Sequence, residues 1–171
     1  MNSLTGIFLF ASLFSVASLA STQVQIEGEG VELSKSEIRI YYKSKAGCMS
    51  SEPISPHLPF PILVKKHYSE IIEKKNENIF EIAYKGKSSA CAYRADIVRF
   101  TISERGAKDE YFMGIIDDTN SSNKFELVCN KSTRKCRPKG TITPPFSLYL
   151  NADLSRDITI DVEIESSETN Q

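Results

Sequence analysis

The stretch 91–102, CAYRADIVRFTI, is the part of the chain that most constrains the fold. Side chains of an extended chain alternate between two faces. The first half of the stretch places its apolar side chains on one face: Cys91, Tyr93, Ala95 and Ile97. The second half places them on the other face: Val98, Phe100 and Ile102. A strand accommodates this change of phase only through a β-bulge or by passing from one packed layer to another. We therefore expect a long, irregular strand in the middle of a β protein.

Shorter segments with the same alternation occur on both sides of this stretch. Apolar residues recur at every second position in 38–42, 80–84, 125–129, 146–150 and, most regularly, 158–164. Polar turn sequences separate these segments, among them DDTNSSN at 117–123. The pattern predicts an all-β, mainly antiparallel β-sandwich of eight or nine strands linked by disulfides, with a partly open barrel as the alternative. The one candidate helix, 69–75, is at most two turns long and fits equally well as part of a strand that begins at Ile62.

The first twenty residues have the pattern of a secretory signal peptide. They contain no charged side chain, and their apolar core is followed by small residues ending at Ala20. A membrane anchor is the alternative, but the apolar run is short for a span of about 20 residues and is interrupted by serines. We therefore expect cleavage after Ala20, a secreted or periplasmic protein without a transmembrane anchor, a single sandwich domain over 21–165, and a disordered polar tail over 166–171.

The chain contains four cysteines: Cys48, Cys91, Cys129 and Cys136. An even number of cysteines behind an export signal favours disulfides. Cys129 and Cys136 bracket a short polar loop between strand-like segments, so we expect these two to pair, which leaves Cys48 to pair with Cys91. A four-cysteine zinc site is the alternative, but no Cys-x-x-Cys step is present, and we expect neither a metal nor another cofactor.

Residues 44–61 are expected to form a long irregular connection on the surface. Four prolines, at positions 53, 56, 59 and 61, exclude a helix or a central strand there. A loop of this length in a compact domain is often functional. We therefore count it among the candidate contact surfaces.

Positive charge is concentrated around the predicted Cys129–Cys136 bond. Segment 124–139 contains six basic residues and a single acid, Glu126. The candidate binding residues are Lys131, Arg134, Lys135, Arg137 and Lys139. A disulfide-closed ring that carries this charge suits phosphate, sulfate or carboxylate groups. The alternative is that an exposed loop carries Lys and Arg only for solubility.

Other polar motifs fall short of a site signature. His57 and His67 lack the context of a catalytic set. The oxygen-rich turn at Asp117, Asp118 and Asn120 lacks the Gly and the terminal Glu of a calcium loop. Sequons for N-glycosylation begin at Asn120 and Asn130. Asp96 is flanked by Arg94 and Arg99, which favours a structural ion pair over catalysis.

These features predict an exported binding or interaction protein without enzymatic activity. Its partner would be a protein, as for an inhibitor, or an anionic polymer held by the basic loop. The formal net charge of −1 argues against nucleic acid as the ligand. The alternatives are a small secreted hydrolase or carbohydrate-active enzyme, and a structural subunit of a surface assembly in which segment 158–164 pairs between molecules.

Overall fold

The computed structural model describes residues 21–35, 37–44, 49–52, 62–65, 67–83 and 93–165. These residues form thirteen β-strands and no helix. In chain order the strands are β1 Ser21–Glu27, β2 Val31–Leu33, β3 Ile38–Ser44, β4 Met49–Glu52, β5 Ile62–Lys65, β6 His67–Ile72, β7 Ile79–Ala83, β8 Tyr93–Glu104, β9 Glu110–Asp117, β10 Lys124–Asn130, β11 Lys135–Pro138, β12 Leu148–Ala152 and β13 Ile158–Glu165. The all-β prediction is confirmed. The strands outnumber the eight or nine expected because several are too short to show a clear alternation.

Eleven of the strands form two mixed sheets, here called sheet A and sheet B, and β4 and β5 form a separate hairpin. Sheet A has the order β11–β10–β13–β1–β7. Sheet B has the order β12–β9–β8–β3–β6, with β2 also paired to β8. Most pairs are antiparallel, and the parallel pairs are β1–β13, β10–β13 and β9–β12. Among the described strands neither sheet closes on itself, which agrees with a sandwich rather than a barrel.

Strand β8 contains the irregularity that its sequence predicts. Tyr41 of β3 is paired with Ile97, but the next residue, Tyr42, is paired with Ala95. Asp96 is therefore the extra residue of a β-bulge. The bulge turns Ile97 outward and lets apolar side chains from both halves of β8 face the same core: Ala95, Val98, Phe100 and Ile102.

The core lies between the two sheets. Phe80 of sheet A and Phe100 of sheet B meet there, with ring centroids 5.3 Å apart. The regular alternation of β13 buries Ile158, Ile160 and Val162 against sheet B. Cys129 and Cys136 are also buried and belong to the same core cluster.

The structure decides two local expectations. Of the two alternatives for 69–75, it has the strand and not the helix over most of the segment: β6 pairs along its whole length with β3. Pairing with a neighbouring strand outweighs the weak local helix signal there. The 44–61 connection contains a strand, β4, which pairs with β5.

Several predictions fall on parts of the chain outside the described residues. These are the signal peptide at 1–20, the tail at 166–171, Cys48, Cys91, His57 and the prolines at 53–61. Among the residues described, no membrane-spanning helix is present.

Candidate functional site

A disulfide closes the β10–β11 hairpin, as predicted. Cys129 and Cys136 are directly opposite each other in the antiparallel ladder and are bonded. The turn between the strands is held by Asn130, whose carbonyl accepts a hydrogen bond from the Arg134 amide at 2.9 Å. The Asn130 side chain accepts a second one, from the Thr133 amide, at 3.0 Å. The hairpin is therefore a well-defined unit, and we call residues 129–136 the disulfide ring.

Four of the five candidate binding cations are paired with carboxylates. The pairs are Lys131–Glu104 at 2.6 Å, Arg134–Asp109 at 2.9 Å, Arg137–Glu165 at 3.1 Å and Lys139–Glu163 at 3.5 Å. The hydrogen bond to Glu104 raises the pKa of Lys131. These carboxylates come from β8, the β8–β9 turn and β13, so segment 124–139 alone gives no sign of them. The surface around the ring is consequently close to charge-balanced.

Lys135 differs from the other four cations. Its Nζ lies over the ring of Phe146, 4.9 Å from the centroid. Within the described part of the chain no carboxylate forms an ion pair with it. The contact has the geometry of a cation–π interaction, which contributes about 0.5–1 kcal/mol at an exposed site. A positive charge and an aromatic face are thus presented side by side.

Residues 139–147, which we call the β11–β12 loop, connect the edge strand of sheet A to the edge strand of sheet B. The loop is attached to β11 by both outward side chains of that strand. Arg137 donates from Nη1 to the carbonyl of Thr141 at 2.6 Å, and Lys135 covers Phe146. Thr141 also donates from its hydroxyl to the Pro138 carbonyl at 2.7 Å. Pro144 and Pro145 further restrict the backbone. The loop is therefore held in place although it lies on the surface.

The β11–β12 loop exposes two large apolar side chains almost completely. Ile142 is 96% exposed and Phe146 is 92% exposed. The sequence analysis did not identify either residue as functional. Apolar residues between turns are equally compatible with burial, and only the structure separates the two cases. A usable signal was nevertheless present, because residues 140–152, which include all of the loop after Lys139, contain no charged side chain.

Further exposed aromatic residues lie next to the loop on sheet B. Phe112 of β9 and Tyr149 of β12 are 43% and 39% exposed, and their rings meet edge to face with centroids 6.2 Å apart. Tyr149 lies across Gly114, where an added Cβ would come within 2.4 Å of the tyrosine ring. The fifth exposed large apolar residue of the described chain, Ile71, lies on β6 at the other edge of sheet B. Exposed apolar side chains are therefore concentrated at the β12 edge.

The carboxylates singled out in the sequence serve structural contacts. Asp96 pairs with Lys43 at 3.8 Å, rather than with the arginines beside it in the sequence. Asp117 pairs with Arg94 at 2.7 Å. Asp118 accepts hydrogen bonds from the Ser121 side chain and the Asn120 amide, which lower its pKa. These oxygens point at different partners and do not converge as calcium ligands would.

An open cleft of about 600 Å³ lies beside the β1–β2 turn and β13. Its polar lining is mainly acidic: Glu29, Glu104, Glu126, Asp161 and Glu163, with Lys139 as the basic member. No group of three metal-ligating side chains converges anywhere among the described residues. The cleft therefore offers negative charge but no organised set of ligands.

No protein-family model, no curated protein and no solved structure matches this chain.

Proposed function

We propose that the protein is an exported, non-enzymatic binding protein whose contact surface is the β11–β12 loop and the disulfide ring beneath it. The observation that carries this proposal is the exposure of Ile142 and Phe146 on a loop that Arg137 and Lys135 hold in place. Burying a large apolar side chain is worth about 1.5–3 kcal/mol. Leaving two of them in water on an ordered loop is therefore explained by a partner that covers them.

The fixed conformation of the loop favours binding. Association costs about 0.5–1.5 kcal/mol for each long side chain that must be immobilised, together with the cost of ordering a loop. Here the backbone is already restricted by the Arg137–Thr141 hydrogen bond, the adjacent prolines and the disulfide ring. Aromatic side chains are also common anchors of protein interfaces.

Export is the second part of the proposal. Its supports are the signal-like sequence at 1–20 and the Cys129–Cys136 disulfide, since stable disulfides form mainly in oxidising compartments. We expect the exported protein to begin at or near Ser21. Intact-mass measurement of exported material tests this, and a mass that retains residues 1–20 would contradict it.

Two observations favour binding over the alternative functions. Of the carboxylates singled out in the sequence, Asp96 and Asp117 are held by Lys43 and Arg94. Strand β13, which a surface assembly would use for pairing between molecules, is bonded on one side to β10 and on the other to β1. It therefore has no free edge for a second molecule.

Polyanion binding by the disulfide ring is a second candidate function. It is supported by Lys135, which pairs with no carboxylate among the described residues, and by Arg134, whose side chain is 69% exposed within its ion pair. Exposed ion pairs contribute at most about 1 kcal/mol each, so a polyanion can displace the carboxylates. Replacing Arg134, Lys135 and Arg137 with Ser should then abolish retention on an anionic resin at low salt. Equal retention of the variant and the parent would contradict this candidate.

Site-specific crosslinking tests the main proposal. A photo-reactive amino acid is placed at position 142 in one sample and at position 71, the exposed apolar control on β6, in another. In the native compartment we expect a specific adduct from position 142 and none of the same mass from position 71. Identical adduct patterns, or no adduct from position 142, would contradict the proposal.

A further inference from the structure

We infer that the surface bound by the β11–β12 loop is an anionic lipid membrane, with Ile142 and Phe146 entering the interface and Lys135 contacting the headgroups. This inference rests on the proposed function and names the partner of the same site. It depends on three features of the described residues: the exposure of the two side chains, the absence of charge around them, and the position of Lys135.

The exposure of the two apolar side chains suits a lipid interface. Ile142 and Phe146 are more than nine-tenths exposed and therefore project from the surface. A protein partner would need a pocket shaped to receive them, together with a total buried area of about 1,200 Å² or more. The interface of a bilayer accepts an apolar protrusion without a shaped pocket. Ile142 and Phe146 therefore fit a membrane with no further assumption about a partner's shape.

The absence of charge over residues 140–152 points the same way. Charged side chains are costly in the apolar part of a bilayer, whereas Thr, Ser and Pro are tolerated near its interface. After Lys139, the first residue of the loop, the loop and the strand that follows it carry no charged side chain in thirteen consecutive positions. Beyond residue 26, no longer stretch without a charged side chain occurs in this chain, in which a quarter of the residues are charged.

Lys135 supplies the selectivity for anionic lipid. Its ammonium group lies 4.9 Å from the centroid of the Phe146 ring, so it would reach the headgroups when the ring enters the interface. Lysine and arginine near an anionic surface each strengthen binding about fivefold. Of the five cations, Lys135 is the one that contacts the inserted ring, so the preference for anionic over neutral lipid should be close to that of a single lysine.

Vesicle co-sedimentation tests the inference. The exported protein is mixed with phosphatidylcholine vesicles that contain about one-third phosphatidylglycerol, and with vesicles of phosphatidylcholine alone. We expect binding to both, about fivefold stronger to the anionic vesicles. The double variant Ile142→Ser/Phe146→Ser should bind at least tenfold more weakly to both. Lys135→Ser should lose the preference for anionic vesicles, and Ile71→Ser should bind as the parent does.

The outcomes separate this inference from the proposed function. A parent protein that fails to sediment with anionic vesicles, but forms a protein adduct from position 142, leaves the proposed function standing and overturns the lipid inference. Retention on a soluble polyanion without vesicle binding overturns it in the same way. Equal vesicle binding by the parent and the double variant overturns the inference and also removes the loop as the contact surface.

Discussion

The two connections that flank β12 differ in the solvent exposure of their apolar residues. The β11–β12 loop before the strand exposes Ile142 and Phe146 almost entirely. The turn after it, residues 153–157, buries Leu154 to 3% exposure within the core cluster. Both connections leave the same edge strand, so the difference does not reflect distance from the core. The buried Leu154 shows that an apolar residue of a connection can be buried at this edge. The β11–β12 loop leaves its two large apolar residues in solvent.

The polar groups of the two connections differ in the same sense. The polar groups of the turn are bonded to the side chain of Asn123, which lies in the β9–β10 connection. This side chain accepts a hydrogen bond from the Asp153 amide and donates to three carbonyls of the turn, those of Asp153, Arg156 and Asp157. These bonds join the turn to the β9–β10 connection. In the β11–β12 loop the corresponding bonds fix the backbone and leave the apolar side chains in solvent. Substitutions in the turn should therefore affect stability, and substitutions at the tip of the loop should affect binding.

The largest effect is expected from the buried residue of the turn. Leu154→Ala should lower the free energy of unfolding by about 3 kcal/mol, because it leaves a cavity in the core. Ile142→Ala, the matched change in the exposed loop, should alter it by less than about 0.5 kcal/mol. Denaturant unfolding of both variants measures the contrast, and similar losses in the two would show that the loop residue packs as part of the fold.

Removal of the disulfide should affect both properties at once, because Lys135 of the ring contacts Phe146 of the loop and the two cysteines are buried. Cys129→Ala/Cys136→Ala should lower the free energy of unfolding by about 2.5 kcal/mol on the chain-entropy estimate. Binding by the loop should also weaken, since the base of the loop is less restrained. A variant with parental stability would show that strand pairing alone holds the hairpin.

Asn123→Ala should destabilise the protein by about 2 kcal/mol, because it removes several hydrogen bonds that link two turns. The control is Asn120→Ala in the same connection, where the side chain is exposed and a change within about 0.5 kcal/mol is expected. Vesicle binding by both variants should equal that of the parent. A loss of binding in the Asn123 variant alone would show that the turn and the loop are coupled.

Asp153 gives the turn a dependence on pH. Hydrogen bonds from the side chain and the amide of Ser155, followed by the charge of Arg156, lower the pKa of Asp153. A carboxylate with a lowered pKa stabilises the fold above its unfolded pKa of about 3.9, and this stabilisation is lost as pH falls through the folded value. Asp153→Asn should cost about 1 kcal/mol at neutral pH, and the difference from the parent should disappear in acid. A difference that stays constant between pH 7 and pH 2 would contradict this assignment.

Features that depend on local alternation could be predicted from the sequence. The change of phase in 91–102 predicted a β-bulge or a passage between layers, of which the structure has the bulge, and the polar segment between Cys129 and Cys136 predicted their bond. Features that depend on parallel neighbours from distant parts of the chain could not. Strand β13 lies beside β10 in parallel, and this brings Glu163 and Glu165 to Lys139 and Arg137.

The charge balance of the ring and the exposure of the loop could not be predicted from the sequence, for two different reasons. The carboxylates are separated from the ring by many residues, so no local pattern reveals them. Phe146 continues the alternation of 146–150 as a strand residue would, and Ile142 stands between two threonines, so the sequence marks neither side chain as exposed. Burial is decided by what packs against the loop. Here the loop contacts Lys135 and Arg137, the outward side chains of β11, and not the core.

The central claim is that the tip of the β11–β12 loop contributes to binding and not to folding. The most direct test measures two quantities on one variant, Ile142→Ser/Phe146→Ser: the free energy of unfolding and the fraction bound to anionic vesicles. We predict a change in stability below about 0.5 kcal/mol, because both side chains are already in solvent. We predict at the same time a loss of at least tenfold in vesicle binding. Parental binding combined with a stability loss above about 1 kcal/mol would contradict the account, because it would make the loop part of the fold.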